Sequence, residues 1–352
     1  MKQIIVVDEN KAELVKAFQK IRAHPYNEPA AFEWQTANAG LPIFWQNICR
    51  EIAQDRKNNR EELHYIVNLP VTEQLYIPSG ASYSPVDLKK ELRNAAFEPE
   101  KVIQSSAAIM DAPILAYQTR GEGARFQHVY PQPGYSNTIS ALSDTDIPWH
   151  NDRTPHPVRP DNIIFLGVNV PEESEVLTLF KTGASIQKEI GEEHHAILEQ
   201  AYFVTEYILD AGNEKERTVS SGPHAIFEKD GETRYIGPAT GVRSTQVLKG
   251  LTPNETRLAQ TALEAFEDGI KRSQTQGVRI ERGAMLAAPN LTSLHNRKIV
   301  NAASEMNRRL MKAYTFANQE RARRHEGFFA DERFGLIDEA KIQQAFPGAV
   351  FA

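Results

Sequence analysis

The chain has 352 residues, of which 41% are hydrophobic, so it is long enough to bury a sizeable core in one large domain or two. Its net charge of −6 and pI near 6.0 disfavour a nucleic-acid or membrane partner, because either would need a basic surface. The single cysteine, Cys49, excludes an internal disulfide and a cysteine-rich metal site. With no targeting segment or long apolar run, we expect a cytoplasmic globular protein.

The first third of the chain predicts mixed α/β structure. Apolar residues spaced as on a helix alternate with short apolar runs typical of strands. The predicted order is strand 3–7, helix 9–21, helix 43–57, strand 64–69, helix 86–95 and strand 114–117. We therefore treat residues 1–117 as an N-terminal α/β part.

Two later segments, 118–183 and 276–317, consist of short strands separated by Pro, Gly, Asn and Asp. The strands are predicted at 126–129, 163–170, 176–180, 278–280, 285–288 and 310–316. Short strands with turn residues between them favour an antiparallel barrel or sandwich over a βαβ series. The two segments read as the two halves of one β structure.

A long insertion of mixed character, 184–275, separates these halves, and a charged tail follows at 318–352. The insertion predicts a helix at 186–200, a strand at 202–209 and a hairpin at 225–236 with its turn at Asp230-Gly231. Thr252-Pro253-Asn254-Glu255 is a strong helix start, with a Thr N-cap, Pro at the first helical position and Glu at the third.

His150 and Asp152 form a candidate metal-binding pair. Two residues apart on extended backbone, their side chains point to the same face. They supply two thirds of the two-His-one-carboxylate triad that holds Fe(II) and leaves three coordination positions open. Ten His and 46 Asp and Glu produce about one such pair by chance, so its surroundings must support the site.

The third ligand must be a histidine brought close by folding. The candidates are His24, His64, His128, His156, His194, His195, His224, His295 and His325. His295 stands out because it follows the returning strand pattern, and an antiparallel jelly roll places a late strand beside an early one. On spacing alone, an ordinary hydrogen-bonded histidine stays an open alternative.

Arg309 lies 14 residues after His295 in an otherwise apolar strand. A buried Arg is costly without an anionic partner, and its guanidinium suits a carboxylate. The far carboxylate of a metal-bound 2-oxo dicarboxylate would be such a partner, with a further hydrogen bond from Thr178. Two alternatives stay open: Arg309 forms an ordinary internal salt bridge, and Thr178 is present because threonine favours strands.

Together these residues resemble the clavaminate synthase-like Fe(II)/2-oxoglutarate oxygenases. That group is related to the taurine dioxygenases and includes arginine and lysine hydroxylases of natural-product pathways. The resemblance rests on an ordered set, over residues 118–317, of Phe126-Gln127-x-Val129-x-Pro131, His150-x-Asp152, Arg159-Pro160-Asp161, Thr178-Leu179-Phe180, Asn290-x4-His295-x-Arg297 and Arg309. Each motif is weak, but their order and spacing are specific.

The resemblance implies a mainly β chain with flanking helices: one oxygenase domain with a double-stranded β-helix (jelly-roll) core. It implies that His150, Asp152 and His295 bind the catalytic iron. It further implies that Arg309 and Thr178 bind the C5 carboxylate of 2-oxoglutarate, and that O2 is the second cosubstrate. Substrate contacts are expected from Gln127, Ser140 and Ser143 and from the 184–275 insertion acting as a lid.

Two positions bear on the reaction. Relatives often carry a second Arg, four residues after the cosubstrate Arg, that binds the substrate's acid group; here Ala313 stands there. The substrate's acid is then held differently, or is absent because it is a thioester on a carrier protein. Halogenating relatives replace the carboxylate ligand with a small residue, so the intact Asp152 argues against halogenation.

We therefore expect hydroxylation of an unactivated C–H of an amino acid or amino-acid derivative, in natural-product biosynthesis. The same chemistry on a carrier-tethered aminoacyl group, or desaturation, is the main alternative. A jelly-roll binding protein without metal and a metal-dependent hydrolase are the other classes. The hydrolase would not need Arg309 and Thr178.

Overall fold

The computed structural model describes residues 1–71, 96–119, 123–131, 143–209, 217–237, 245–300, 308–330 and 333–346. The strands are β1 (Lys2–Ile5), β2 (His64–Val67), β3 (Ile114–Tyr117), β4 (Gln127–Val129), β5 (Ile147–His150), β6 (Asn162–Asn169), β7 (Val176–Thr182), β8 (Phe203–Leu209), β9 (Arg217–Ser220), β10 (Thr245–Val247), β11 (Gln276–Val278), β12 (Met285–Pro289), β13 (Ser293–Ile299), β14 (Arg309–Thr315) and β15 (Leu336–Ile337). The helices are α1 (Asp8–Phe18), α2 (Pro29–Ala37), α3 (Ile43–Asn58), α4 (Glu98–Ile109), α5 (Gly183–Gln187), α6 (Glu192–Leu198), α7 (Pro253–Arg272), α8 (Gln319–Arg323) and α9 (Glu339–Ala345).

Two sheets dominate the described part of the chain. The larger has the order β1-β2-β12-β6-β14-β3-β15, with β4 also paired to β14, and the smaller has the order β11-β7-β13-β5. Most pairs are antiparallel, whereas β1 with β2 and β3 with β15 are parallel. The prediction of a sheet-rich chain with flanking helices is confirmed. The predicted helix at 86–95 lies outside the described residues.

The larger sheet is apolar on both faces because each covers a different core. Leu310 and Tyr314 of β14 belong to the core between the sheets, together with Phe180 of β7. The alternate residues Met311 and Ala313 belong to a second core, into which the N-terminal helices pack. Since side chains alternate along a strand, this division assigns each β14 residue to an inner or a helix-covered face.

The insertion packs onto the smaller sheet through a third core. Its apolar residues surround Phe203, Phe227 and Phe266, and the cluster includes Leu294 of β13 with Trp149 of β5 packed against it. The predicted hairpin is present, with a bridge between Phe227 and Thr233. The insertion therefore supports the two strands that carry His150 and His295; its role as a lid stays a prediction.

The single helix predicted at 186–200 is wrong. The segment forms two short helices, α5 and α6, because the backbone at Gly191 is extended (φ −62°, ψ 142°) and starts the second helix. In the described residues, no helix has both the length and the apolar character that crossing a bilayer requires.

The capping box at the start of α7 is confirmed and predicts a measurable stability loss. The Thr252 hydroxyl accepts from the Glu255 backbone N–H, and the Glu255 carboxylate accepts from the Thr252 N–H at 2.9 Å. We expect Thr252→Ala to lower the free energy of unfolding by about 1 kcal/mol in denaturant titration. Thr261→Ala, on the exposed side of the same helix, should change it by less than about 0.5 kcal/mol. Equal losses in both variants would contradict a capping role.

Candidate metal centre

Three predicted ligands meet where β5 ends. β13 runs antiparallel to β5 with His295 directly opposite His150, and Asp152 follows two residues after His150. The ligand atoms of the three residues all lie within 4.8 Å of one another. Asp152 Oδ1 is 3.4 Å from His150 Nε2 and 3.8 Å from His295 Nε2. Folding thus selects His295 from the nine candidates.

Both histidines have surroundings suited to a metal ligand. The Nδ1–H of His150 donates to the Pro148 carbonyl at 2.7 Å, which leaves the Nε2 lone pair facing Asp152. The His295 ring stacks on Phe180, with 5.8 Å between ring centroids. Burial, reinforced by the neighbouring His150, lowers the pKa of His295 to about 3. His295 is therefore neutral at pH 7, the form that binds metals.

Two residues of β14 hold the other oxygen of Asp152. Tyr314 donates its hydroxyl to Asp152 Oδ2 at 2.7 Å, and the Lys312 ammonium lies 3.1 Å from the same oxygen. Lys312 also donates to the Tyr314 hydroxyl at 2.8 Å. Burial alone would raise the pKa of Asp152, but Lys312 and the two histidines hold it well below its ordinary value. The carboxylate is therefore ionised and presents Oδ1 to the histidines.

Asn290 fixes the backbone that carries Asp152. Its side-chain oxygen accepts from the Asp152 N–H at 2.8 Å, and its amide donates to the carbonyls of Asp152 and Pro160 at 3.0 and 2.9 Å. The side chain is fully buried, so no solvent can replace these bonds. Lys312, Tyr314 and Asn290 were not predicted as site residues. Asn290 does stand in the Asn290-x4-His295 motif, and Lys312 interrupts an otherwise apolar strand, so each of these two had a signal in the sequence.

We expect Asn290→Ala to weaken metal binding by about 10- to 100-fold, the range typical of residues that orient metal ligands. The substitution leaves the buried Asp152 and Pro160 carbonyls without their amide partner, so stability should also fall. Anaerobic Fe(II) titration of the folded variant measures the affinity, with the exposed Asn38→Ala as control. Unchanged affinity would show that Asp152 holds its position without Asn290.

The donor set fits a mononuclear iron. Two imidazole nitrogens and one carboxylate oxygen are the ligands of the facial triad that binds Fe(II) and leaves positions for other ligands. Within the described part of the chain, no second cluster of three His, Cys, Asp or Glu residues has this arrangement.

Thr178 and Gln127 both lie on inner faces near the triad. Thr178 is two residues from Phe180 on β7 and therefore shares its face, and it pairs with Arg297 of β13. Gln127 pairs with Lys312 across β4 and β14, so these two side chains are neighbours on the inner face of the larger sheet.

The two predicted serine contacts have different positions. Ser143 is buried and accepts from the Arg297 guanidinium at 2.7 Å, which also donates to the Thr145 carbonyl. Ser143 therefore helps to anchor the segment before β5, and its contact with substrate stays a prediction. Ser140 lies outside the described residues.

The structure does not bring Arg309 to the triad. Its guanidinium donates to His128 Nδ1 at 2.7 Å, on the helix-covered face of β14 that also carries Met311. His128 Nε2 lies 3.0 Å from the Tyr26 hydroxyl, which donates to Glu100 at 2.7 Å. Because Arg can only donate, the hydrogen bonds run from Arg309 through His128 and Tyr26 to Glu100. We call these four residues the Arg309–Glu100 relay.

Comparisons with known proteins identify the fold. No family model matches the sequence, and no curated protein matches it. Among solved structures, the chain is similar to an asparagine oxygenase in complex with Fe(II), 2S,3S-3-hydroxyasparagine and succinate, at 14% identity and TM-score 0.73, covering 96% of this chain and 99% of that one. It is also similar to the non-heme iron oxygenase OrfP in complex with Fe and alpha-ketoglutaric acid, at 14% identity and TM-score 0.71, covering 96% and 100%. OrfP with Fe, succinate and (3S)-hydroxy-L-Arg matches at 15% identity and TM-score 0.69, with the same coverage.

These likenesses extend over nearly the whole of each chain. The fold is therefore one found among non-heme iron oxygenases. The asparagine oxygenase and OrfP were crystallised with iron and with hydroxylated asparagine or arginine. The resemblance predicted from the motifs is thereby confirmed for the fold.

Proposed function

We propose that the protein is an Fe(II)- and 2-oxoglutarate-dependent oxygenase that hydroxylates an unactivated C–H of an amino acid or amino-acid derivative in natural-product biosynthesis. The observation that carries the proposal is the convergence of His150, Asp152 and His295, within 4.8 Å, in a fold shared with such oxygenases.

We further propose that the core is a jelly roll in one oxygenase domain. The two packed sheets combine strands from 118–183 and 276–317, which supports this division, and the insertion at 184–275 acts as a lid. The single, buried Cys49 supports a reducing, cytoplasmic location.

Fe(II) and 2-oxoglutarate, when bound, would supply O2 activation, in which one oxygen atom leaves in succinate as 2-oxoglutarate loses CO2 and the other enters a substrate C–H bond. His150, Asp152 and His295 would hold the iron. Tyr314 and Asn290 would keep Asp152 aligned, and the apolar side chains between the two sheets would exclude water. The protein's task is to aim one C–H bond at the reacting oxygen, since small misplacement costs rate.

The far carboxylate of 2-oxoglutarate needs a cation on an inner face. Thr178 is a suitable hydroxyl donor there. The motif spacing predicts Arg309 as the cation, but its contacts lie on the helix-covered face. Arg308 is buried directly before β14, and continuing the alternation of that strand by one residue would put it on the inner face with Leu310 and Lys312. Arg308 is therefore our choice, and Arg309 stays the sequence-based candidate.

The test is an anaerobic titration of the metal-free protein with Fe(II) and then 2-oxoglutarate. A chelated 2-oxo acid on this iron site should give a weak visible charge-transfer band, and admission of O2 should then yield succinate. Iron binding without the band would reject the 2-oxoglutarate assignment and favour hydrolysis. Absence of iron binding would favour a jelly-roll binding protein.

A further inference from the structure

We infer that Ile236, a residue of the insertion, contacts the substrate beside the metal centre and selects substrates by the size and apolarity of the part that lies against it. The inference rests on the proposed function and concerns which substrates that site accepts. The sequence predicted substrate contacts from the insertion as a whole but pointed to no residue within it.

The insertion reaches the metal centre through residues 235–237, which pair with β5 on the side away from β13. Two backbone hydrogen bonds join these segments, from the Gly237 N–H to the Trp149 carbonyl at 2.8 Å and from the Asn151 N–H to the Tyr235 carbonyl at 3.1 Å. They flank His150 and Ile236, which form an antiparallel bridge. Residues flanked in this way form a non-hydrogen-bonded pair, whose side chains are close together on one face of the sheet. Ile236 is therefore the neighbour of a metal ligand.

This part of the insertion is held closely against β5. A Cβ atom at Gly237 would lie 2.4 Å from the Trp149 carbonyl oxygen, so only glycine permits the approach. Asn151, which separates the first two metal ligands, donates its side-chain amide to the Thr233 carbonyl at 2.7 Å. Asn151 is buried, so water cannot replace this bond. Ile236 thus has a fixed position relative to the metal ligands.

Ile236 is the last member of a row of side chains across the inner face of the smaller sheet. From strand to strand, the row is Phe180, His295, His150 and Ile236. The ring centroids of the two histidines are 4.2 Å apart, which agrees with this order. Tyr235, the residue before Ile236, belongs to the third core on the outer face, as strand alternation requires. The two histidines therefore have an apolar neighbour on each side.

The two apolar neighbours differ in burial. Phe180 is fully buried in the core between the sheets, so protein fills the space beside His295. Ile236 is half-buried and belongs to none of the three cores described above. The side chain of His150 is 17% exposed, against 7% for His295, so the row is open at the Ile236 end. A substrate that approaches the metal would therefore meet Ile236.

The chemistry of Ile236 defines what it can contact. A charged or hydrogen-bonding group placed against its branched aliphatic side chain would lose water without gaining a partner. Aliphatic carbons would instead bury apolar surface there. We therefore expect the substrate to present carbon atoms to Ile236, with its polar groups directed away from this end of the row.

The experiment compares the parent protein with Ile236→Val, Ile236→Ala and Ile236→Phe. The probes are the twenty L-amino acids and their N-acetylcysteamine thioesters, followed by analogues of the best one that are shorter or longer by one or two methylenes. Succinate and hydroxylated product are both measured, and Fe(II) affinity is measured anaerobically. Ile197→Ala is the matched control, because Ile197 is a half-buried isoleucine of the insertion that packs against the third core.

We expect Ile236→Ala to lower kcat/KM for the parent's best substrate by about 10- to 100-fold and to favour a longer analogue, since one methylene in an apolar pocket changes kcat/KM by about 10- to 200-fold. Ile236→Val should be intermediate, and Ile236→Phe should favour a shorter analogue. Ile236→Ala should also form succinate in excess of hydroxylated product, because a loosely held C–H bond is misplaced. Ile197→Ala should match the parent.

The inference is overturned if Ile236→Ala keeps the parent's order of preference among the analogues, or if it lowers only the Fe(II) affinity, which would make Ile236 a support for His150. A parent protein that forms neither the visible band nor succinate with any probe would instead refute the proposed function, and this inference with it.

Discussion

His295→Ala is expected to lower Fe(II) affinity and succinate formation by at least about 100-fold. Residues that only orient metal ligands typically contribute 10- to 100-fold, so removing a ligand should cost more. His295 lies opposite His150 on the neighbouring strand, and its loss leaves two protein ligands that share one short segment. Anaerobic Fe(II) titration measures the affinity, and succinate release in O2 measures the activity.

His194→Ala is the matched control for this prediction. His194 lies on α6 in the insertion and was also a candidate third ligand, but it contacts Glu193 rather than the triad. We expect it to retain parent affinity. If His295→Ala also retained parent affinity, the iron would have to bind elsewhere and the proposed centre would be wrong.

Arg309→Ala is expected to destabilise the fold by about 3–5 kcal/mol, the cost of breaking a buried charged network by removing one partner. Arg309 and Glu100 are each about 3% exposed at the two ends of the Arg309–Glu100 relay. Burial raises the pKa of Tyr26 well above its ordinary value and lowers that of His128 well below, so both are neutral and neither replaces the lost charge. Denaturant titration measures the loss.

Arg308→Ala is the paired variant and should behave differently. Continued strand alternation would put Arg308 on the inner face, where its guanidinium would bind 2-oxoglutarate, so we expect the KM for 2-oxoglutarate to rise by about 10- to 100-fold. Arg309→Ala, assayed where it is folded, should leave that KM unchanged. If Arg309→Ala instead raised the KM and Arg308→Ala left it unchanged, Arg309 would be the cosubstrate's cation, as the motif spacing predicts, and our choice of Arg308 would be wrong.

The ligand set could be predicted because its chemistry is recorded in residue types and order. His150 and Asp152 occupy one face of a strand end, and His295 follows a returning strand pattern. The capping box of α7 was predictable for a similar reason, since both of its bonds form within four residues. Local geometry determines such features.

The contacts that hold Asp152 in place were not predictable. Asn290 contacts Asp152 from 138 positions away in sequence, and Tyr314 from 162 positions away. No periodicity links such positions, because the contacts depend on which strands become neighbours in space. The choice between Arg308 and Arg309 had the same difficulty, since a spacing counted along the sequence from His295 does not specify which of two adjacent residues faces inward.

The sequence by itself thus predicted the His150-Asp152 pair, a sheet-rich chain and the proposed class of chemistry, because residue type and short-range spacing carry that information. The tertiary structure decided which histidine completes the triad, which oxygen of Asp152 is available and which faces of β14 Arg309 and Lys312 occupy. The physical reason is that side chains alternate along a strand, so one residue of register separates the reaction site from the helix-covered core.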